Sequence, residues 1–532
     1  MVRCFLRGTG LVILAVVGIM VEINAAVVRA SEGEAKAVLY SAAETFSVVP
    51  QVGGGGQSLL NAKIGAVFSP IKSTLTFVKN DSTAICLITT HFMIEQYSLS
   101  NLLKKQAARE LGISPQQVFV FSSHNHTDAV LLADPPHYGI PQPDAEMPES
   151  KLTAEGRALL KGVVETARKI RDRCVQVHVA WSVGHEHRVT YNRKGRRPDG
   201  STYFMREEDR VLLGNDFSGD IDDDAPVIAL LGMDDKPVCF LVQFAGHPTT
   251  VYNPEQPVVH GDYPQVACDT LSEAFGGVPV GFLQGCAGDL NSKGLLSRKP
   301  IKEKLADAIQ YGHWLGETYV DAAKHLHRSK SDDLAFVRES VSMSFEKVPP
   351  QAYLEQQLGK IDDFIRRCNA GDETAVSCVG LNAARTMSPK YRAALLEPPR
   401  KWTQWALDFH LQHRLDAAPT HVDVDVAAIR IGDVGIFGMP CEPLLGIGRQ
   451  IKRDSPLPLA VPCGYMEDQS VCYIPDKANN GDKDYPSSYY RYTTELLPYR
   501  DPAGDLLAQA ACRIFQDMTE HSTRACTTRH SH

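Results

Sequence analysis

Val118-Phe-Val-Phe-Ser-Ser-His124-Asn-His126-Thr-Asp128 joins a run of strand-forming residues to a pair of histidines. The first half is β-branched and aromatic, the composition of a strand buried on both faces. The second half lies at that strand's carboxyl end, where α/β proteins build ligand crevices. Side chains two apart on a strand share a face. His124 and His126 are therefore expected to point the same way, holding a metal or dividing metal binding and oxyanion stabilisation between them. The opposing reading is a polar loop without chemistry, and an isolated His-x-His does not separate the two.

Outward from this stretch, apolar runs predict strands over 84–90, 175–182, 227–231, 237–244 and 278–284. Helical spacing predicts helices over 99–111, 151–170, 264–275 and 301–327. Strands alternating with helices predict an α/β fold of mixed, largely parallel sheets with flanking helices and a zinc site at strand ends. Beyond Leu334 the pattern changes to a strand over 336–345, a charged helical stretch over 353–413, and an alternating strand over 422–431. A turn at Gly432-Asp433 leads to a further strand, a tyrosine-rich loop over 465–492 and a last helix over 506–518. One domain over 31–532, with lobes of about 31–333 and 334–532, accommodates this order. Residues 31–60, with Gly53 to Gly56, read as a flexible leading segment.

Composition narrows the class. A 532-residue chain that is 43% hydrophobic buries a large core, and a net charge of −8 without an extended basic tract argues against nucleic acid. The short cluster Arg193-Lys-Gly-Arg-Arg197 is expected in a turn. Residues 1–30 have the form of an export signal: Arg3 and Arg7, an apolar stretch from Leu11 to Val21, then Ala25, Ala26 and Ala30. That stretch is shorter than the roughly 20 residues of a membrane span, so the mature chain is expected to be exported, periplasmic or secreted, with no transmembrane segment. Of 13 cysteines only Cys4 lies in this leader. The remaining even number permits disulfides, with Cys368/Cys378, Cys463/Cys472 and Cys512/Cys526 as the locally spaced pairs.

Three further strand ends carry polar groups. Phe240 to Gly246 runs into His247-Pro-Thr-Thr250. Gly281-Phe-Leu-Gln284 enters the Gly-rich turn Gly285-Cys-Ala-Gly288-Asp289-Leu-Asn291. Gly438-Met-Pro-Cys-Glu442-Pro443 ends in a glutamate that is either a helix N-terminal charge or a ligand. Asp262, before a helix, reads as its cap. His185-Glu-His187 is expected at the surface, as are His410 and His413. No P-loop, serine-hydrolase elbow or H-E-x-x-H occurs.

In order along the chain, Ser123-His124-Asn125-His126, Phe244-Ala-Gly-His247-Pro-Thr, Phe282-Leu-Gln284-Gly-Cys-Ala-Gly288-Asp289 and Gly438-Met-Pro-Cys-Glu442-Pro resemble four motifs of the catalytic domain of neutral/alkaline ceramidases. The resemblance implies one zinc per chain held by His124, His247, Glu442 and Tyr473. It implies His126, Tyr485 and Arg193 as catalytic residues, and Asn291, Asp289 and Gln284 as substrate-binding ones. Tyr489, Tyr490 and Tyr492 compete with Tyr485 for its place. The chain departs from the family at Asn291, which stands where those enzymes have serine, and at Cys441; it has no room for their C-terminal Ig-like domain. The implied activity is zinc-dependent hydrolysis of an amide in ceramide-like or other N-acyl substrates, a small molecule or membrane-derived lipid. The alternatives are a zinc hydrolase of a small ester or polar amide, and a degenerate exported binding protein.

Overall fold

The computed structural model describes residues 38–527, apart from 59, 215 and 296–298, and gives side chains up to 520 except at 207. The expected leader lies outside the described residues. Eight strands form most of a large sheet: β1 (Leu39–Val48), β2 (Ile71–Lys79), β3 (Ala84–Thr90), β4 (Val118–Ser122), β5 (Val175–His185), β6 (Asp224–Gly232), β7 (Pro237–Phe244) and β8 (Val280–Gln284). Their spatial order is β8-β7-β6-β5-β1-β2-β3-β4, with His327–Arg328 paired to β5. A second sheet begins at Leu334 and runs β9 (Leu334–Ser344), β10 (His421–Ile431), β11 (Val434–Gly438), β12 (Leu459–Cys463). The principal helices are α1 (Tyr97–Leu111), α2 (Ala154–Arg171), α3 (Asp262–Ala274), α4 (Ile301–Ala322), α5 (Gln351–Asn369), α6 (Pro389–Leu411), α7 (Leu445–Asp454) and α8 (Asp505–Thr527).

The two sheets lie face to face between helical layers. On β4, Phe119 and Phe121 enter the core shared with Ile429, Ile436 and Val461 of the second sheet. Val118 and Val120 point the other way, against Leu99 and Leu103 of α1 and Val163 of α2. Phe240 and Phe282 pack on Tyr263, Leu315 and Tyr319 of α3 and α4. Phe437 faces Trp402, Ile447 and Phe515 from the helices covering the second sheet. Strands β3, β4, β6, β7 and β8 are thus almost wholly buried, and their sequences are near-continuous apolar runs rather than alternating ones.

The fold is mixed α/β as expected, but pairing is mainly antiparallel rather than largely parallel. Parallel pairs occur where a helix crosses over between adjacent strands: β3–α1–β4, β7–α3–β8 and β11–α7–β12. The other neighbouring pairs in these two sheets are antiparallel. Helix α2 fails to make a parallel pair because it joins β4, at the sheet's edge, to β5, which lies further inside.

Other expectations change too. Residues 39–48 form an inner strand rather than a flexible lead. The helical stretch over 353–413 is two helices, separated by Gly371 at φ 81° and a small hairpin pairing Ser377–Cys378 with Leu381–Asn382. Cys368, Cys378, Cys463 and Cys472 are free thiols: Cys463 is buried between the sheets, whereas Cys472 packs beside Leu444 and Tyr473. No bond joins Cys512, also free, to a partner, and the Cys526 side chain lies outside the description. Among the described residues no helix is long and apolar enough to cross a membrane.

Candidate metal centre

Residues at the carboxyl ends of the three parallel pairs meet in one buried cluster. β4 does not carry its histidines on a straight strand, as the spacing suggested. It ends at Ser122, whose hydroxyl accepts the His124 N–H at 3.0 Å, and His124 takes φ 60°. Asn125 then fixes the turn, its amide donating to the His260 carbonyl at 2.8 Å while its Oδ1 accepts the Thr127 N–H and hydroxyl. The imidazoles still meet, but through this turn: the His124 and His126 rings are 4.7 Å apart and nearly perpendicular.

His247 follows β7. Its Nδ1 lies 2.8 Å from the Ala287 carbonyl and 2.9 Å from that of Leu290. Carbonyls only accept, so Nδ1 carries the ring proton. Burial, aided by the Arg193 charge, lowers the His247 pKa to about 4, leaving the ring neutral at pH 7 with Nε2 bare. That bare nitrogen stands 2.9 Å from Glu442 Oε2 and 3.3 Å from the Tyr473 hydroxyl. His124 Nε2 meets the same carboxylate oxygen at 3.3 Å. Burial pushes Glu442 up, but the two histidines outweigh it and hold its pKa well below the usual carboxylate range. A lone pair aimed at a carboxylate is repelled unless a proton or a cation lies between them, and the spacing suits a metal ion. Ligand atoms on a tetrahedral ion, each bound at about 2.0–2.1 Å, stand about 3.3 Å apart.

His124, His126 and His247 present ring nitrogens within 4.8 Å of one another, a buried cluster able to hold a metal ion. Among the described residues His126 Nε2 has no hydrogen-bond partner. Burial, reinforced by the charges of His124 and His247, holds the His126 pKa well below its ordinary value. Glu442 and Tyr473 are register partners in a short parallel pair, with the Glu442 N–H donating to Cys472 at 2.7 Å. The helix-charge reading of Glu442 does not hold: the N-terminus of α7 is served by Asp289, whose Oδ1 accepts the Leu445 N–H at 2.8 Å.

Arg193 is buried beside the cluster. Its guanidinium donates to the Gly288 carbonyl and, at 3.3 Å, to Asn291 Oδ1, and lies 5.1 Å from the Tyr473 ring and 6.0 Å from that of Tyr485. Asn291 pairs with His247 through the backbone, and its buried Nδ2 has no partner. Tyr489 lies closer to Tyr473 than Tyr485 does, at 4.6 against 5.8 Å, but only Tyr485 also faces Arg193. Two expected substrate contacts are occupied internally. Asp289 Oδ2 accepts from Asn192. Gln284 donates to the Ser123 and Gly246 carbonyls, clamping both histidine-bearing strand ends.

The sequence reading missed Tyr465 and Tyr252. Tyr465 stacks 4.5 Å from His124 with its hydroxyl unpartnered; Tyr252 lies 5.2 Å from His126. Tyr465 follows β12, and recognising β12 as a strand would have pointed to it. His185 and His410 lie at the surface or partly so, and Asp262 is the first residue of α3, with Gly261 as its cap. Clefts of about 610 and 590 Å³, one beside α5 and one between β1 and α3, include none of the converging residues.

A mixed two-sheet α/β protein with a buried histidine–carboxylate–tyrosine centre at its strand ends is the class these features define. Among solved structures, the chain shares the fold of neutral ceramidase from Pseudomonas aeruginosa, with a TM-score of 0.59 at 14% identity over 91% of this chain and 74% of that one. A structure described as ceramidase complexed with C2 matches equally well, with a TM-score of 0.59, 13% identity and 91% and 75% coverage. No protein-family model and no curated protein matches the chain.

Proposed function

We propose that the protein is an exported zinc-dependent amidohydrolase that cleaves the amide bond of ceramide-like or other N-acyl substrates. The observation carrying this reading is the convergence of His124 Nε2 and His247 Nε2 on Glu442 Oε2, at 3.3 and 2.9 Å, with the Tyr473 hydroxyl 3.3 Å from His247 Nε2. Neutral imidazoles and a carboxylate suit zinc. The shared fold with ceramidases favours an acyl-amide substrate, and the basic and apolar segments of residues 1–30 favour export.

When bound, zinc supplies Lewis acidity that polarises an acyl oxygen and acidifies water near neutral pH. The chain's residues then divide the remaining work. His126, held neutral by burial, offers its free nitrogen to the acyl group. Arg193, anchored by Gly288 and Asn291, holds positive charge beside the Tyr473 and Tyr485 hydroxyls, where an oxyanion develops. With asparagine at 291 this position has no hydroxyl to act as nucleophile, so water attacks directly.

A smaller polar amide or ester is the second reading, favoured by the unpartnered Asn291 Nδ2, a buried donor suited to a polar acyl substituent. Purified protein is expected to contain one zinc per chain by metal analysis, and His247→Ala to lose it; full retention in that variant removes His247 from the ligand set. Turnover of a fluorescent ceramide, N-acyl amino acids and short esters, resolved by chromatography, separates the readings. Zinc without turnover on the panel defeats both in favour of a binding protein.

A further inference from the structure

An amide hydrolase must move a proton from attacking water to the departing nitrogen, and most carboxylates near the centre are already engaged. Glu442 Oε2 is shared by two imidazoles, Asp289 holds Leu445 and Asn192, and Glu467 is locked by Lys104 at 2.7 Å and Arg338 at 2.8 Å. Asp128 lies fully buried under the Met93 N–H. Glu95 differs. It follows β3, is partly open to solvent, and receives a hydrogen bond from the Tyr138 hydroxyl.

Two independent links bring Glu95 to the centre. From one side, the Ser122 hydroxyl oxygen that accepts the His124 N–H also accepts that of Ile94, at 3.3 Å, so the Glu95 backbone is tied to the His124 turn. From the other, Tyr138 packs with Leu444, Cys472, Tyr473 and Tyr485, and the adjacent Gly139 N–H donates to Ser470 at 2.8 Å. The Glu95–Tyr138 pair therefore spans from the His124 segment to the Glu442–Tyr473 pair. Its charge is felt at both ends, by His124 and by Glu442.

Building on the amidohydrolase reading, we infer that Glu95 is the proton-transfer group of this site and Tyr138 the residue that positions it. As the water oxygen bonds to the acyl carbon, Glu95 takes the water's proton. It returns that proton to the amide nitrogen as the C–N bond breaks, releasing a carboxylic acid and an amine and leaving Glu95 as it began. Burial raises its pKa while the Tyr138 hydrogen bond lowers it, bringing it nearer the working pH than a solvated glutamate. The charged or titratable groups around it are Tyr138, His124, Glu442, Asp128 and Cys472.

The test compares wild type, Glu95→Gln and Tyr138→Phe on fluorescent ceramide and an N-dodecanoyl amino acid, with zinc content and thermal melting measured for each. Glu95→Gln is expected to keep its zinc and its KM within about threefold and to lose about 10²- to 10⁴-fold in kcat. Tyr138→Phe, which keeps the ring but removes the donor, is expected to move the acid limb of the kcat–pH profile to higher pH. Unchanged kcat in Glu95→Gln, loss of zinc in that variant, or an unmoved limb in Tyr138→Phe overturns the assignment while leaving the hydrolase reading intact. A wild type that turns over neither substrate defeats the hydrolase reading itself, and this inference with it.

Discussion

His247 binds two carbonyls through one nitrogen and faces a carboxylate with the other, so protonation at Nδ1 already selects Nε2 as the ligand atom. His126 has no such anchor on its Nε2 among the described residues, and the function proposed above gives it to substrate. His126→Ala is expected to keep zinc, by metal analysis, and to lose about 10²- to 10⁴-fold in kcat; loss of zinc would move it into the ligand set. Asp468 tests electrostatics away from the chemistry. It accepts the Tyr97 N–H at the start of α1 and the Ser470 N–H and hydroxyl, yet burial raises its pKa to about 7. A folded value above the roughly 3.9 of an unfolded aspartate means the contribution is full below pH 4 and is lost as pH rises through 7. Urea titrations from pH 4 to 8 should show wild type losing a few kcal/mol over that window and Asp468→Asn losing less. At this scale the sequence displayed the converging residues well, because His, Glu and Tyr beside Gly and Pro are conspicuous. It could not show that Asp289 is spent on the Leu445 N–H and the Asn192 amide and Gln284 on backbone carbonyls, since partners distant in sequence decide that.

Helix crossovers explain where the centre lies. A strand followed by a helix and a parallel neighbour leaves adjacent carboxyl ends side by side, and three such units aim His124, His247, Glu442 and Tyr465 inward. Runs such as Val118–Ser122 and Pro237–Phe244 were readable as strands to the residue, since burial on both faces leaves no polar interruption. Leu39–Val48, with Ser41, Glu44, Thr45 and Ser47, was not readable: cross-strand pairing with β2, not composition, makes it a strand. The turn after β8 must also approach the Glu442 segment closely. A Cβ on Gly288 would stand 2.8 Å from the Glu442 carbonyl and 3.0 Å from that of Pro443. Gly288→Ala is therefore expected to cost about 1–3 kcal/mol of stability and to weaken zinc retention about tenfold in a chelator competition. Unchanged retention would show that the two turns move independently of the ligands.

The large sheet supplies His124 and His247, and the segments following the second sheet's strands supply Glu442 and Tyr473, across one shared apolar core. A ligand that binds only the folded chain adds stability by mass action, about 4 kcal/mol at a thousandfold excess over Kd. Stripping zinc with a chelator is expected to lower Tm in calorimetry while both sheets still melt in one transition; two separated transitions would show that the core does not couple them. An ion held by His124, His247, Glu442 and Tyr473, as proposed above, also implies an order of events during synthesis. Until Glu442 and then Tyr473 have left the ribosome, the first 333 residues can present the three imidazoles but neither the carboxylate nor the tyrosine. On that proposal, loading waits for nearly the whole polypeptide, and a product terminated before Tyr473 is expected to bind no zinc.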